Sequence, residues 1–283
     1  MLTEVKAYSS WQSAPQLLLS STGRAETDLL QIRSIDGLDP VKASVNTSPY
    51  GSIDGAAHVG DSVLTRNIVL TIGMNPDWDD WTFESLRRLL YSYFTPKRPV
   101  KLVFYSDDIN PVQIEGIVES AEVNMFSKDP EMIVSIICPD PYFTSLNPIV
   151  LTGQSVHSVT DPTNIVYNGS VEAGINLQVT YTSGTSPNRI GVQIGDPKIL
   201  YFNMLEVAAV TASKYFELSS IPGKKYVQNV SLDSGVIKSL LANVERGNAD
   251  WPLLQPGTNE FFVITDVGVQ DWSLSYFERF GGL

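Results

Sequence analysis

The sequence predicts a mainly β protein that is divided into two domains. Valine, threonine, serine, tyrosine and glycine are common, which favours strands, and helical periodicity is scarce. Short apolar runs recur along the chain and are separated by turn-forming residues. Residues 146–164 are rich in Ser, Thr, Pro and Gly, as linkers between domains often are. Since 283 residues are enough for two cores, we predict domains at residues 1–145 and 146–283.

The first domain is predicted to be a sheet that is covered by one helix. Residues 66–72 alternate between apolar and other side chains, as a strand with one buried face does. Residues 41–57 carry many turn formers and predict a long loop, of the kind that is usually functional or bound to a partner. Helical spacing of apolar residues predicts an amphipathic helix over about residues 81–94, capped by Asp79 or Asp80. Its apolar face consists of Leu86, Leu89, Leu90, Tyr93 and Phe94.

Residues 113–143 are predicted to be the centre of the first domain, as two strands joined by a turn at residues 127–130. The second strand, residues 132–138, is apolar on both faces, which predicts a central strand that is covered on both sides. Pro139 and Pro141 end it, because proline fixes φ and lacks a backbone donor.

The second domain is predicted to be an antiparallel β-sandwich. Residues 175–181 alternate regularly between apolar and polar side chains, which indicates a strand with one buried face. Similar short runs follow at residues 190–194, 199–202, 215–218, 226–230, 261–267 and 272–277. About seven short strands separated by turns are typical of a sandwich.

The composition argues against several classes of protein. The net charge is −12 and the pI about 4.6, and there is no stripe of basic residues, so binding to nucleic acid is not expected. The single cysteine, Cys138, lies in an apolar run, which predicts a buried thiol and no disulfide within the chain. The first residues lack a secretory signal, and no apolar run approaches the ~20 residues of a membrane span. We therefore expect synthesis in the cytosol and no membrane insertion.

No motif for catalysis, phosphate binding or metal binding stands out, and we predict neither an enzyme nor a cofactor. G-x-S-x-G, Walker A and G-x-G-x-x-G patterns are absent, and two histidines with one cysteine make a zinc site improbable. The acidic residues at 77–80 resemble part of a calcium loop, but they lack its glycine and distal glutamate, so helix capping is favoured. Glu115, Glu119 and Glu122 are the available carboxylates for a glycosidase pair, although a solvated sheet face is the favoured interpretation.

Two tryptophans in the second domain are candidates for stacking on a sugar. Exposed aromatic rings of a β-sandwich can bind carbohydrate in this way, and Trp251 and Trp272 are the candidates. The favoured alternative for both residues is a place in the hydrophobic core.

Several short motifs in a fixed order resemble the distal tail protein family of long-tailed bacteriophages. In the first half these are a turn at residues 35–38, the strand entered at residues 66–70, the helix, the hairpin at 114–119 with Phe126, and the Cys-Pro-Asp-Pro-Tyr-Phe segment at 138–143. In the second half they are Asn-Gly-Ser at 168–170, residues 251–259, and Tyr-Phe-Glu-Arg-Phe-Gly-Gly-Leu at 276–283. The resemblance extends over nearly the whole chain.

The resemblance implies a fold and a function. It implies an N-terminal β-sandwich with one covering α-helix, which builds a hexameric ring, and a C-terminal galectin-like antiparallel β-sandwich for peripheral docking. The implied partners are further copies of the chain, the tail tube protein, the baseplate hub or tail-associated protein, and an adhesin or receptor-binding protein. DNA would pass through the bore without specific binding. The implied location is the tail tip of a virion that is assembled in the bacterial cytoplasm.

Three hypotheses of function follow, in order of preference. The first is a structural, non-catalytic ring protein of the tail tip, the second a carbohydrate-binding protein that recognises a host-surface glycan, and the third a glycan-cleaving enzyme. In a ring, residues 41–60 and 121–131 are expected to contact neighbouring subunits, because loops without local structure need a partner to order them. The candidate contact residues are Tyr50, Ile53, His58, Met125 and Phe126.

Overall fold

A computed structural model describes residues 2–9, 16–20, 29–77, 79–107, 110–124, 129–157, 162–181, 187–195, 200–203, 214–231, 237–245, 250–266 and 268–283. Its contacts divide the chain into two compact units. The first unit is Met1–Leu146 together with Phe280–Leu283, and the second is Asn147–Arg279. The last four residues therefore return to the first unit, although the sequence had placed them in the second domain.

Among its described residues, the first unit contains ten strands, one helix and a short strand from the returning segment. The strands are β1 (Leu2–Ser9), β2 (Leu17–Ser20), β3 (Leu30–Asp36), β4 (Ala43–Pro49), β5 (Ala56–Val63), β6 (Arg66–Met74), β7 (Pro99–Ser106), β8 (Val112–Val123), β9 (Glu131–Cys138) and β10 (Phe143–Ser145), and the helix α1 is Phe83–Tyr93. The short strand is β22 (Arg279–Phe280), which is the last in chain order and lies at the junction of the two units.

Seven of these strands close into a barrel. They pair in the order β8-β7-β1-β2-β3-β6-β9, and β9 pairs again with β8. β10 extends the sheet from β8, and β22 follows it. The mainly β class with one α-helix and antiparallel sheets is confirmed, but the first unit is a closed barrel rather than the predicted sandwich. The β8–β9 pairing joins the two ends of the sheet, and such long-range pairings cannot be read from local sequence patterns.

The barrel interior explains the apolar alternation of the strands. Met132, Val134, Ile136 and Cys138 of β9 are fully buried, as predicted. The opposite face of β9 is covered only in part, since Ile133 is 46% exposed whereas Ser135 is buried and Ile137 is partly buried. The prediction of a strand buried on both faces is therefore wrong, although β9 does pair along both of its edges.

Helix α1 packs its predicted apolar face into the same core. Leu86, Leu90, Tyr93 and Phe94 are buried, and Leu89 is partly buried. The cap differs from the prediction: Thr82 caps the helix and accepts a hydrogen bond from the Ser85 N–H. Asp79 and Asp80 do not cap it, because the helix begins later, at Phe83. They lie in the preceding turn, where the Asp77 side chain accepts hydrogen bonds from the backbone N–H groups of Asp80 and Trp81.

The second unit consists of two antiparallel sheets. One contains β11 (Ile149–Gln154), β21 (Asp271–Tyr276), β13 (Ala173–Thr180), β16 (Lys214–Ser219), β17 (Tyr226–Ser231) and β18 (Ile237–Ser239) in that order, with β19 (Leu253–Leu254) paired to β13. The other contains β12 (Thr163–Tyr167), β20 (Gly257–Thr265), β14 (Arg189–Ile194) and β15 (Leu200–Asn203), and a 3-10 helix spans Leu241–Asn243.

A single apolar core joins the elements of the second unit. It includes Ile175, Leu177 and Val179 of β13, which alternate inward as the sequence predicts. The stretch predicted as a linker is structured, because β11 lies within it and β12 begins in it. Ile149 and Leu151 pack against the core from β11, an alternation that the surrounding Ser and Thr residues concealed. Within the part of the chain that the structure describes, no helix is long and apolar enough to cross a membrane.

Candidate functional site

A β-hairpin formed by β4 and β5 stands out on the first unit, and we call residues 43–63 the arm. The two strands pair only with each other among the described residues, from Ala43 opposite Val63 to Pro49 opposite Ala56. The sequence predicted a loop here, because Ser, Asn, Gly and Pro dominate the stretch. A two-stranded ribbon needs little apolar content when neither face is buried, so this prediction is wrong for a physical reason.

The arm exposes several large apolar side chains. Ile53 is 70% exposed, Val59 67% and Val45 58%, and Tyr50 is also largely exposed. All residues of β4 are exposed, and β5 is nearly so. Exposed apolar side chains that lie close together typically mark a surface that binds another molecule. An isolated hairpin is at best marginally stable in water, so we expect a binding partner to stabilise the arm.

Arg66 fixes the base of the arm. It is the first residue of β6, three residues after the arm ends, and it is only 2% exposed. Its Nε donates to the Pro141 carbonyl at 2.6 Å, and its Nη1 donates to the carbonyls of Gly37 at 2.5 Å and Asp39 at 2.8 Å. Its Nη2 donates to the Gly281 carbonyl at 2.5 Å. One guanidinium thus joins both ends of the arm to two other segments, and we call this arrangement the clamp.

Two glycines permit the close approach of backbone at the clamp. Gly37 has a φ of +90°, and a Cβ atom there would lie 2.0 Å from the carbonyl oxygen of Asn67. At Gly282 a Cβ atom would lie 2.8 Å from Cδ of Pro40. The N–H of Leu283 donates to the Leu38 carbonyl at 3.1 Å. Residues 281–283 are therefore packed against the turn that leads into the arm.

The clamp buries the positive charge of the Arg66 guanidinium. Burial lowers the pKa of the Arg66 guanidinium, because a cation loses hydration there, whereas the negative charge of Asp39 acts in the opposite direction. The ring of Phe143 lies beneath the guanidinium, 4.5 Å from its carbon, and gives a cation–π contact. Burial also raises the pKa of the nearby Cys138 thiol to about 11, so the thiol is neutral at physiological pH.

The predicted contact residues fall into two groups. Tyr50, Ile53 and His58 all lie on the arm and are exposed, and His58 Nε2 is 3.6 Å from the Asp61 carboxylate. Met125 and Phe126 lie outside the described residues. The structure thus brings three of the five residues together on one projecting element.

The two candidate sugar-stacking tryptophans differ in their surroundings. Trp272 is 4% exposed and meets Phe261 edge to face at 4.9 Å, so it is a core residue with no ring face open to a ligand. Trp251 is partly buried against the same core and borders a cavity of about 240 Å³, and the Lys225 ammonium lies 5.8 Å from its ring centroid. The cavity is lined by Val192, Ile194, Asp250, Trp251, Pro252, Leu253 and Gln255.

The carboxylates do not form a pair suited to glycoside cleavage at this cavity. Asp250 is the acidic residue among those that line it, whereas such an enzyme needs two. Glu115, Glu119 and Glu122 lie on β8 of the first unit, and Glu119 accepts a hydrogen bond from Ser135 at 2.7 Å. Among the described residues, no group of three or more His, Cys, Asp or Glu side chains could hold a metal ion.

Sequence reasoning missed Arg66, but the motifs behind the family resemblance surround it. Residues 35–38, 66–70, 138–143 and 280–283 all belong to those motifs, and each contributes to the clamp. An arginine that precedes an apolar strand is usually a surface residue, so its own sequence context gives no signal. The available signal was the joint resemblance of these four motifs to one family, which suggests that the four segments meet in the fold.

Comparison with known proteins confirms the resemblance. Residues 25–136 match the family described as phage tail protein RIFT-related domain. The whole chain has the fold of the Dit protein (gp 19.1) of phage SPP1, which is described as a paradigm of the hub adsorption apparatus in phages that infect Gram-positive bacteria. The two share 16% identity with a TM-score of 0.65, over 98% of this chain and 99% of that one.

Two structures of the phage p2 baseplate in its activated conformation, with Sr and with Ca, give TM-scores of 0.42 and 0.43 at 9% identity. They cover 96% and 97% of this chain, and 97% and 98% of the matched chains. No curated protein sequence matches the chain.

Proposed function

We propose that this chain, which carries a phage tail protein RIFT-related domain and has the fold of a phage Dit protein, is a structural protein of the phage tail tip. In this proposal the first unit forms a ring, expected to be a hexamer, that joins the tail tube to the hub. The second unit docks an adhesin or another baseplate protein. The protein is a component of the virion, assembled in the cytoplasm of the host bacterium, and it has no catalytic role.

The observation that carries the proposal is the exposed apolar arm on a barrel that is otherwise closed. The barrel buries its own core, and each of its seven strands has a pairing partner on both sides, although β2 and β3 share only one residue pair. The arm, by contrast, exposes Val45, Ile53 and Val59 to solvent. A projecting element of this kind contacts a surface different from itself, and such head-to-tail contacts produce closed rings when the rotation between subunits closes.

The charge of the chain agrees with a passage for DNA. A net charge of −12 gives no general attraction to a polyanion, so DNA would pass the ring without being retained. The expected partners are copies of the chain, the tube protein, the hub and the adhesin. The alternative of carbohydrate binding gains no support, because Trp272 is buried in the core and Trp251 packs against it.

The test is the mass of the purified protein in solution, measured by light scattering and accompanied by negative-stain images. Six chains of 31.1 kDa make a ring of about 187 kDa. The substitution I53D at the arm should lower the mass to that of smaller species. The matched control is V166D, at a similarly exposed valine of the second unit (61% against 70% for Ile53), which should leave the mass unchanged. A monomer at every concentration, with or without purified tube and hub proteins, would contradict the proposal.

A further inference from the structure

A row of apolar residues crosses the outside of the barrel. Ile117 of β8 is paired in register with Pro99 of β7 on one side and with Ile137 of β9 on the other. Ile133 lies on the same outer face of β9, four residues away from Ile137. Ile117 and Ile133 are each 46% exposed. We call these four residues the isoleucine face.

The position of this face within the barrel makes its exposure informative. β9 is paired along both edges, and β8 pairs with β7 over residues 112–117 and with β9 over residues 117–123. The outward isoleucines are not part of the buried core, so the core does not require apolar residues at these positions. A polar residue is accommodated at this position of the outer face: Ser135 lies between Ile133 and Ile137 and is hydrogen bonded to Asn67 and Glu119. Exposed isoleucines on a sheet face rimmed by polar groups indicate a surface covered in an assembly.

The arm of a second copy matches this face in apolar character, and its tip matches the Pro99 end of the face in charge. No Lys or Arg occurs at residues 43–63, and the acidic residues there are Asp54 and Asp61. Lys97 and Arg98 are exposed and directly precede Pro99 at one end of the isoleucine face. Glu115 also lies beside Ile117, but it is paired in register with Lys101, while Glu119 is bonded to Ser135. Glu122 is exposed and paired in register with Ile133, so the Pro99 end of the face is basic and the Ile133 end is acidic. The basic end is thus placed to meet Asp54 at the tip of an incoming arm.

The topology places the face and the root of the arm at the same end of the barrel. The isoleucine face continues across β9 to Asn67, which pairs with Ile137 and directly follows Arg66 of the clamp. Each chain thus carries an arm and a face of different shape beside one rim. Two such unlike surfaces on every copy meet head to tail, and this is the arrangement that a ring requires.

We propose that the arm of one copy docks on the isoleucine face of the next copy. The contact places Ile53 of the arm over Ile117 and Val59 over Ile133, with Asp54 at the tip of the arm towards Lys97 and Arg98. This inference rests on the proposed ring and names the surface that receives the arm.

The test uses two variants that damage opposite halves of the same contact. The face variant is I117D and the arm variant is I53D/V59D, each at exposed positions, with the fold verified by circular dichroism. Each variant alone should run as a monomer, because its association is weakened about 30-fold or more by an aspartate within an apolar contact. An equimolar mixture should form dimers, because the intact arm of the face variant fits the intact face of the arm variant. The control L18D, at a residue 53% exposed elsewhere on the barrel, should keep the ring.

Each outcome decides between the two proposals. A ring that survives I117D, or a mixture that stays monomeric, would overturn the assignment of the isoleucine face and leave the ring itself standing. Loss of the ring in L18D as well as in I117D would also overturn it, because the effect would then not belong to this face. An unmodified chain that never associates would overturn the proposed function, and this inference with it.

Discussion

Replacing Arg66 with methionine should unfold the clamp at the base of the arm. Methionine retains most of the side-chain volume but donates no hydrogen bond, so the four carbonyls of Gly37, Asp39, Pro141 and Gly281 lose their donor. The bond to Pro141 is buried and the other three are partly buried, so at about 1 kcal/mol each their loss costs at most about 4 kcal/mol. Methionine also removes the cost of burying a cation, which offsets part of this loss and leaves about 2–3 kcal/mol.

The assay is urea-induced unfolding combined with hydrogen–deuterium exchange of the full chain. With a urea m-value of about 1–3 kcal/mol/M, a loss of about 2–3 kcal/mol lowers the unfolding midpoint by roughly 1–2 M. Exchange should accelerate at residues 37–42 and 280–283 first, because these segments are held by Arg66. The control is R88M, at an exposed arginine of α1, which should change stability by less than about 0.5 kcal/mol. If R66M cost no more than R88M, the assignment of Arg66 as a clamp would be refuted.

Three other substitutions test the packing and the electrostatics. G37A should destabilise the first unit by about 2 kcal/mol or more in urea titrations, because φ is +90° and its Cβ would strike Asn67, whereas G51A, with open space around it, should be nearly neutral. W272A should cost about 3–5 kcal/mol in the second unit, and a fully stable variant would contradict its place in the core. The Cys138 thiol has a folded pKa of about 11 against an unfolded value near 9, so the unfolded chain ionises first and stability should fall between about pH 9 and 11. C138A should flatten that pH dependence, and an unchanged slope would show that other groups cause it.

Local patterns predicted the individual elements well where one face is buried. The helix over residues 83–93 and the strands of the second unit follow directly from apolar spacing, because burial on one face imposes that spacing. The arm escaped prediction because its strands bury nothing within the chain and so carry no alternation. Closure of the barrel was also not predicted. The pairing of β8 with β9 decides whether the strands form a closed barrel or an open sheet, and the local pattern of each strand is the same in both cases.

The clamp shows why a site formed by backbone atoms is difficult to predict. The acceptors at residues 37, 39, 141 and 281 are carbonyl oxygens, which every residue possesses. Only the side chain of Arg66 and the small size of Gly37 and Gly282 leave a trace in the sequence. Exposed surfaces such as the isoleucine face are equally difficult, because an outward isoleucine has the same local pattern as an inward one.

The clamp also determines when the first unit can be complete. The Arg66 guanidinium needs the Gly281 carbonyl, and the Leu283 N–H pairs with Leu38, so the base of the arm lacks these partners until the whole second unit has been synthesised. Before that point the turn at residues 37–40 is held by fewer contacts and the direction of the arm is less restricted. If the arm joins neighbouring subunits, then an incomplete chain presents a poorly fixed arm. Assembly would accordingly favour chains whose second unit is already in place, which is the unit proposed to dock the adhesin.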